Sequence, residues 1–365
     1  MASHRTVLYG DHLRLGARIV DFHGWDLPVQ YESILAEHTH CRQAACVFDT
    51  SHMGQILIRS RPDDLARMTT QDAAALPIGR GKYGFLLNDQ GGILDDTILM
   101  RLGDEEFLLV VNAGPAAGDF DWVRGHLPPS AEATLQSAAG WGKIDLQGPA
   151  SADVLAPLAE VPLRSLRYFS VTRTRVCDLS CVVSRTGYTG ELGYEIFAPA
   201  DAILAVFRRL VADPRVRPAG LGARDSLRLE ASLPLYGDDI DASTSPIEAG
   251  LGGFVDLARD FSGAAALRAA AASGPKRLLV AFAARGRQRA WRGDVIASAD
   301  GRTGVVTSAA FAPSLGVAIG MGYVPPDLAS PGAELIVKTR RGDLPVTVAE
   351  KPLYKKGTCR VRLEL

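Results

Sequence analysis

The chain has 365 residues, 47% of them hydrophobic and only 7% aromatic, and its 40 basic and 41 acidic side chains leave a formal net charge of −1. Such a length suggests two or three domains with ample material for buried cores. The balanced charge argues against bulk electrostatic binding to nucleic acid or an anionic membrane, and few rings are available as a base-stacking platform.

The N-terminal "MASHRTVLYGDHLRLG" carries no apolar signal core, and no window approaches the roughly 20 apolar residues of a membrane span. Five cysteines, an odd number without a CxxC pair, read as free thiols in a reducing compartment. These features predict a soluble, cytoplasmic protein; a monomer or weak oligomer without a metal site is the accompanying expectation. Lysine is scarce, so most positive charge is arginine, whose forked donors suit carboxylates.

In chain order, "SILAEHTHCRQAA" predicts a helix capped by Ser33. His38 and His40, two apart, diverge on that helix and make a poor metal pair. "FDTSHMGQ" follows, with Asp49, His52 and Met53; a serine beside a histidine invites a nucleophile reading, but adjacency is not triad geometry. "GFLLNDQGGILDDTILM" predicts a hairpin turning at Asp89 to Gly92, "EEFLLVVNA" a third strand, and Asp119 to His126 a helix. Together they form an α+β unit between roughly 53 and 135.

Residues 140–200 are again strand-rich, with helical pieces near "ASADVLAPLA" and from about 200 to 212. The two cysteines of "RVCDLSCVV" fall in a β-like stretch. "GLGARDSLRLEASLPLYG" reads as a helix ending before Pro234. From "AAASGPK" onward the pattern changes to short strands, "RLLVAFAA", "DVIAS", "TGVVTS", "VAIGMGYV", "ELIVKT", "LPVTVA" and "CRVRLEL". That spacing predicts a small all-β barrel or sandwich beyond about residue 276.

Three stretches could carry chemistry. In "GGILDDTILM", neighbours on a strand face opposite ways, so one of Asp95 and Asp96 must share a face with apolar residues. A carboxylate there needs a partner or a ligand, although a wet edge strand or an arginine pair accounts for it too. In "SRTGYTGELGYEI", three glycines interrupt a β pattern that offers Tyr188 and Glu195; a turn-rich hairpin is the plainer explanation. In "GLGARDSLRLE", Arg224 and Arg228 lie four apart, either in a salt-bridged helix or with Arg224 gripping an anionic tail.

Taken together and in order, "GARIVDFHGWDLPVQY", "FDTSHMGQ", "LLNDQGGILDD", "LQGP", "RTGYTGELGYEI", "GLGARDSLRLEASLPLYGDDID", "SPIEAGL" and "GVVTSAAFAPSLGVAIGMGYV" resemble the glycine cleavage T-protein (aminomethyltransferase) family. The resemblance implies a three-domain α+β cloverleaf. Its parts would be a discontinuous first domain at 1–52 plus 136–245, a second at 53–135 plus 246–275, and a C-terminal β-barrel at 276–365. It implies tetrahydrofolate as co-substrate and lipoylated H-protein as donor of an aminomethyl group. Asp95 is then the essential carboxylate facing the pterin, with Asp96 pointing away. Tyr83, Thr97, Asn112, Tyr188, Glu195 and Arg224 are the matching folate positions, and Met53 packs on the apolar part of the ligand. Thr97 stands where the family is usually aliphatic, Pro115 and Gly253 also depart, and "SAAFAPSL" replaces a more usual "SGTFSPSL". These departures leave a folate-dependent demethylase of a small methylated donor as the alternative. A folate-binding scaffold without enzymatic activity is disfavoured, because the Lys-Gly-Cys signature of those relatives is missing.

Overall fold

The computed structural model describes residues 3–299 and 301–363. They fall into two compact units, one of residues 3–83, 97–225 and 357–363, the other of 84–96, 226–299 and 301–356. No helix of the described residues is long and apolar enough to cross a membrane.

The first unit is built on antiparallel sheets. A six-stranded sheet runs in the order Val171–Val176, Leu179–Ser184, Gly193–Pro199, Trp141–Gln147, Ala45–Asp49, Val216–Pro218, with only the last strand parallel to its neighbour. Its helix-covered face is apolar because Ile144, Leu146, Tyr194, Ile196 and Ala198 alternate inward. Helix Ala200–Val211 packs there through Ala202, Ile203, Val206, Phe207 and Leu210, the three-and-four spacing of one helical face. The opposite face of Trp141–Gln147 carries Lys143, Asp145 and Gln147, all buried.

Ser33 caps helix Ile34–Gln43 as expected, its hydroxyl accepting from the Ala36 amide at 3.1 Å. Pro115 sits immediately before helix Ala116–His126, where its fixed φ costs nothing and no amide is missed. The predicted β stretch around Cys177 is instead a hairpin turn, since Cys177 and Asp178 both adopt positive φ between strands Val171–Val176 and Leu179–Ser184. No disulfide joins the five cysteines.

A five-stranded sheet has the order Gly81–Leu87, Ile93–Arg101, Glu106–Val111, Gly54–Arg59, Glu132–Leu135. The turn between its first two strands belongs to the second unit and explains the paired glycines. Gly91 takes a φ of +78°, and a Cβ on Gly92 would lie 1.9 Å from the Ala242 carbonyl oxygen. The Asn88 carboxamide oxygen accepts from the amides of Gln90 and Gly92 at 3.0 and 2.9 Å, closing the turn. Gly92→Ala forces backbone apart and is expected to cost about 1–3 kcal/mol, read as a lower urea midpoint. An unchanged midpoint would mean that this approach relaxes freely.

The second unit contains the expected barrel, closed by strands Leu278–Ala284, Val317–Val324, Thr303–Ala312, Val295–Ala297, Glu334–Thr339 and Gly342–Ala349 in that order. Val280, Phe282, Ile296, Val306, Val337, Val346 and Val348 fill its core. The alanine-rich stretch forms helix Ala264–Ser273, which ends at Gly274 with positive φ.

One predicted strand is absent. "CRVRLEL" forms no strand within its described part, and it groups with the first unit rather than with the barrel. Its backbone finds other partners: the amides of Thr358 and Cys359 donate to Glu191 Oε2 at 3.2 Å and the Gly190 carbonyl at 3.1 Å. The Gly190 carbonyl thus takes the first amide of the stretch, and Glu191 holds the residue before it, in place of the sheet ladder that alternation alone suggested.

Candidate active site

The polar face of strand Trp141–Gln147 organises the site. Lys143 and Asp145 are two apart and project to the same side, and Glu195 on strand Gly193–Pro199 stands directly opposite Asp145. Lys143 Nζ lies 2.5 Å from Asp145 Oδ1 and 3.2 Å from Glu195 Oε2, with side-chain exposures of 1% for the lysine and 0% and 6% for the carboxylates. The Thr50 hydroxyl donates to Asp145 Oδ1 at 2.8 Å and accepts from Lys143 Nζ at 3.1 Å. Arg224, on helix Leu221–Glu230, reaches Asp145 Oδ2 at 3.0 Å and places its guanidinium 4.8 Å from the Tyr188 ring centroid. Its other terminal nitrogen approaches the Met53 sulfur at 3.9 Å.

Two cations therefore face two carboxylates in a dry setting. Burial by itself raises the Asp145 carboxyl, but the charges of Lys143 and Arg224 outweigh it and hold Asp145 below its ordinary value. For Glu195 burial dominates: its carboxyl is pushed up despite Lys143, with Asp145 adding repulsion. Glu195 Oε2 meets the Lys143 ammonium as an ion pair at 3.2 Å but makes no well-formed hydrogen bond. An acceptor left open in a buried carboxylate is a place for a ligand's N–H groups.

Met53, Tyr188, Glu195 and Arg224 are thus brought together through two residues that sequence reasoning missed, Lys143 and Asp145. The signal was present in "WGKIDLQ", where polar residues alternate strictly with Ile144 and Leu146 beside the recognised "LQGP". Helix Leu221–Glu230 is anchored for this purpose by Glu37. That carboxylate accepts from the amides of Gly220 at 2.8 Å, Tyr31 at 2.6 Å and Glu32 at 3.0 Å.

Tyr83, Thr97 and Asn112 are carried by the five-stranded sheet rather than the six-stranded one, Asn112 just past its strand. Thr97 is buried and its hydroxyl accepts from Gln71 Nε2 at 2.9 Å, so the unusual threonine has a local partner. Asp95 is fully buried. The alternation of strand Ile93–Arg101 puts Asp95 on the face of Thr97 and Leu99, and Asp96 on that of Ile98 and Met100. Ile98 and Met100 share an apolar cluster with Met53 and Phe197, and Phe197 lies 5.6 Å from Lys143 Nζ.

The serine–histidine reading fails. The Ser51 hydroxyl donates to the Lys143 carbonyl at 3.0 Å, and Asp49 pairs with His12 at 2.8 Å instead of His52. Tyr31 and Thr6 complete that second network, at 2.8 Å to His12 Nδ1 and 2.5 Å to Asp49. His52 is buried against Phe22, and burial lowers it to about 4, so it is neutral at ordinary pH.

Comparison with known proteins agrees with this architecture. The GCVT N-terminal domain matches residues 8–259, and the glycine cleavage T-protein C-terminal barrel domain matches residues 277–355. An aminomethyltransferase of Halothermothrix orenii is 40% identical over 95% of this chain and 99% of its own. One of Saccharopolyspora erythraea is 40% identical over 98% and 100%. The crystal structure of glycine cleavage system aminomethyltransferase T from Bartonella henselae superposes with a TM-score of 0.92 at 35% identity, covering 97% of this chain and 99% of that one. With both halves matched in order and the barrel closed as that family requires, the chain belongs to the glycine cleavage T-protein family.

Proposed function

We propose that this enzyme is the aminomethyltransferase of glycine cleavage. It takes the one-carbon unit from S-aminomethyl-dihydrolipoyl H-protein and passes it to tetrahydrofolate, yielding 5,10-methylene-tetrahydrofolate, ammonia and the dihydrolipoyl protein. Support comes from relatives named aminomethyltransferase along nearly the whole chain. The observation that carries the reading is the open acceptor of Glu195 within the buried quartet of Lys143, Asp145, Glu195 and Arg224.

These residues fit a folate. A buried carboxylate with a free acceptor suits the paired N–H donors of a pterin edge. Tyr188 offers a ring face, Met53 an adaptable apolar wall, and Arg224 a cation already anchored by Asp145. Tyr83 and Asn112 join them as proposed folate contacts, whereas Thr97, on the strand face opposite Asp96 and held by Gln71, is left out of the proposed set. Bound tetrahydrofolate supplies the amine nitrogens that receive the carbon. The chain's part is to hold the pterin, keep water out and set a carboxylate near the positive charge that develops as an amine attacks. The family resemblance gives that last role to Asp95, while the strand face shared with Ile98 and Met100 favours Asp96.

The Thr97 hydroxyl is engaged by Gln71, which makes that departure a local exchange and weighs against a different donor. A single-turnover assay with tetrahydrofolate and aminomethyl-loaded H-protein tests the proposal. Equal yields of ammonia and methylene-tetrahydrofolate support it; folate binding without either product moves the chain to demethylation of a small methylated donor.

Glu195→Gln keeps the shape and loses the charge. It is expected to weaken tetrahydrofolate binding by roughly 10–100-fold, the loss of a charge-assisted pair of hydrogen bonds. Calorimetric titration reads it, and an unchanged dissociation constant would place the pterin anchor elsewhere.

A further inference from the structure

The quartet contains an arrangement that needs explaining. Asp145 and Glu195 stand directly opposite each other on adjacent antiparallel strands, and both are buried. Like charges so placed destabilise a sheet, and the dry surroundings amplify the repulsion. Arg224 relieves it only in part, because its ion pair is made with Asp145 at 3.0 Å. Lys143 is the cation that touches both carboxylates, at 2.5 Å and 3.2 Å. Its own burial is costly, since an ammonium at 1% exposure is held there only by its partners.

We propose that Lys143 is a positioning residue for the folate, keeping Glu195 a carboxylate and aiming it as an acceptor for the pterin. This rests on the reading of Glu195 as the pterin anchor. Lys143 does not touch the reacting atoms. It balances Asp145 and Glu195 together, and leaves one Glu195 oxygen without an aligned donor until the ligand provides one.

The charged and titratable groups facing Glu195 are Lys143 and Asp145 from the neighbouring strand, Arg224 from helix Leu221–Glu230, and Tyr168 from the segment before strand Val171–Val176. Removing the ammonium leaves two carboxylates against a guanidinium already committed to one of them. Glu195 then takes up a proton more readily. A carboxyl whose folded-state affinity for protons is raised loses its charge as pH falls through that raised value. Folate affinity in Lys143→Met should therefore drop as the solution is acidified, and recover at higher pH.

The test is calorimetric titration of tetrahydrofolate under anaerobic conditions into the wild-type chain, Lys143→Met, Glu195→Gln and the double variant K143M/E195Q. Between about pH 8 and about pH 6.5, Lys143→Met is expected to lose about tenfold in affinity, the change that one unit of protonation allows. The wild-type chain should tilt less than Lys143→Met, and K143M/E195Q should stay nearly flat. A Lys143→Met profile as flat as wild type overturns the proposal, even if the variant is less stable, because a purely structural lysine would not tilt it. Failure of the Glu195 reading has another signature: Glu195→Gln binding folate as tightly as wild type. If Lys143→Met does not fold, K143M/D145N removes one charge of each sign, and its profile against D145N answers the same question.

Discussion

Asp96→Asn is expected to lower single-turnover transfer by roughly 10²–10⁴-fold, the contribution of a positioned charge or proton carrier, with folate binding largely kept. Asp95→Asn is expected to act chiefly on stability, because that side chain is fully buried on the face of Thr97 and Leu99. Replacing a buried carboxylate by an amide exchanges an acceptor for a donor and costs about 1–3 kcal/mol where its partners are donors. Both variants are to be compared in the same assay, with urea melts alongside. If Asp95→Asn is the one that stays folded and loses turnover while Asp96→Asn reacts normally, the role returns to Asp95, as the family resemblance alone assigns it.

Arg228→Met should be the most destabilising single change on helix Leu221–Glu230, by about 3–5 kcal/mol, since it strands a buried charge. Arg228 is 2% exposed and its guanidinium reaches Asp239 Oδ2 at 2.6 Å, Ser308 Oγ at 2.8 Å and the Leu233 carbonyl at 3.1 Å. Asp239 also accepts from the Leu235 amide at 2.9 Å and from the Thr307 hydroxyl, so it is a hub that loses its arginine while keeping its burial. Chemical denaturation reads the loss. A shift below about 1 kcal/mol would mean that water reaches Asp239 when the arginine is removed.

Much of this was legible beforehand, and the reason is local. Helix Ile34–Gln43 and its serine cap, the Asn88–Gly92 turn and the barrel strands are each dictated by short-range periodicity, capping and turn chemistry. The ordered motifs carried the family, because each marks a place where backbone or charge is constrained. The errors share a cause as well. Strand alternation in "CRVRLEL" predicted a seventh barrel strand, but a β pattern cannot name its partner, and Glu191 and Gly190 capture that backbone. The "RVCDLSCVV" stretch reads as one strand until its middle must reverse.

What the sequence by itself determined, then, is most of the elements and a small all-β C-terminal part, consequences of spacing along one chain, and, through its ordered motifs, the family. Only the tertiary structure decided which charges meet. Arg224 and Arg228 look equivalent at four residues apart, yet one pairs with Asp145, 79 residues earlier, and the other with Asp239, 11 residues later. Lys143 acquires its place only through the register of two strands, which sets Asp145 against Glu195 with the ammonium beside both. Coulomb energy depends on separation in space and on the dielectric around the pair, and neither quantity is written in the order of residues.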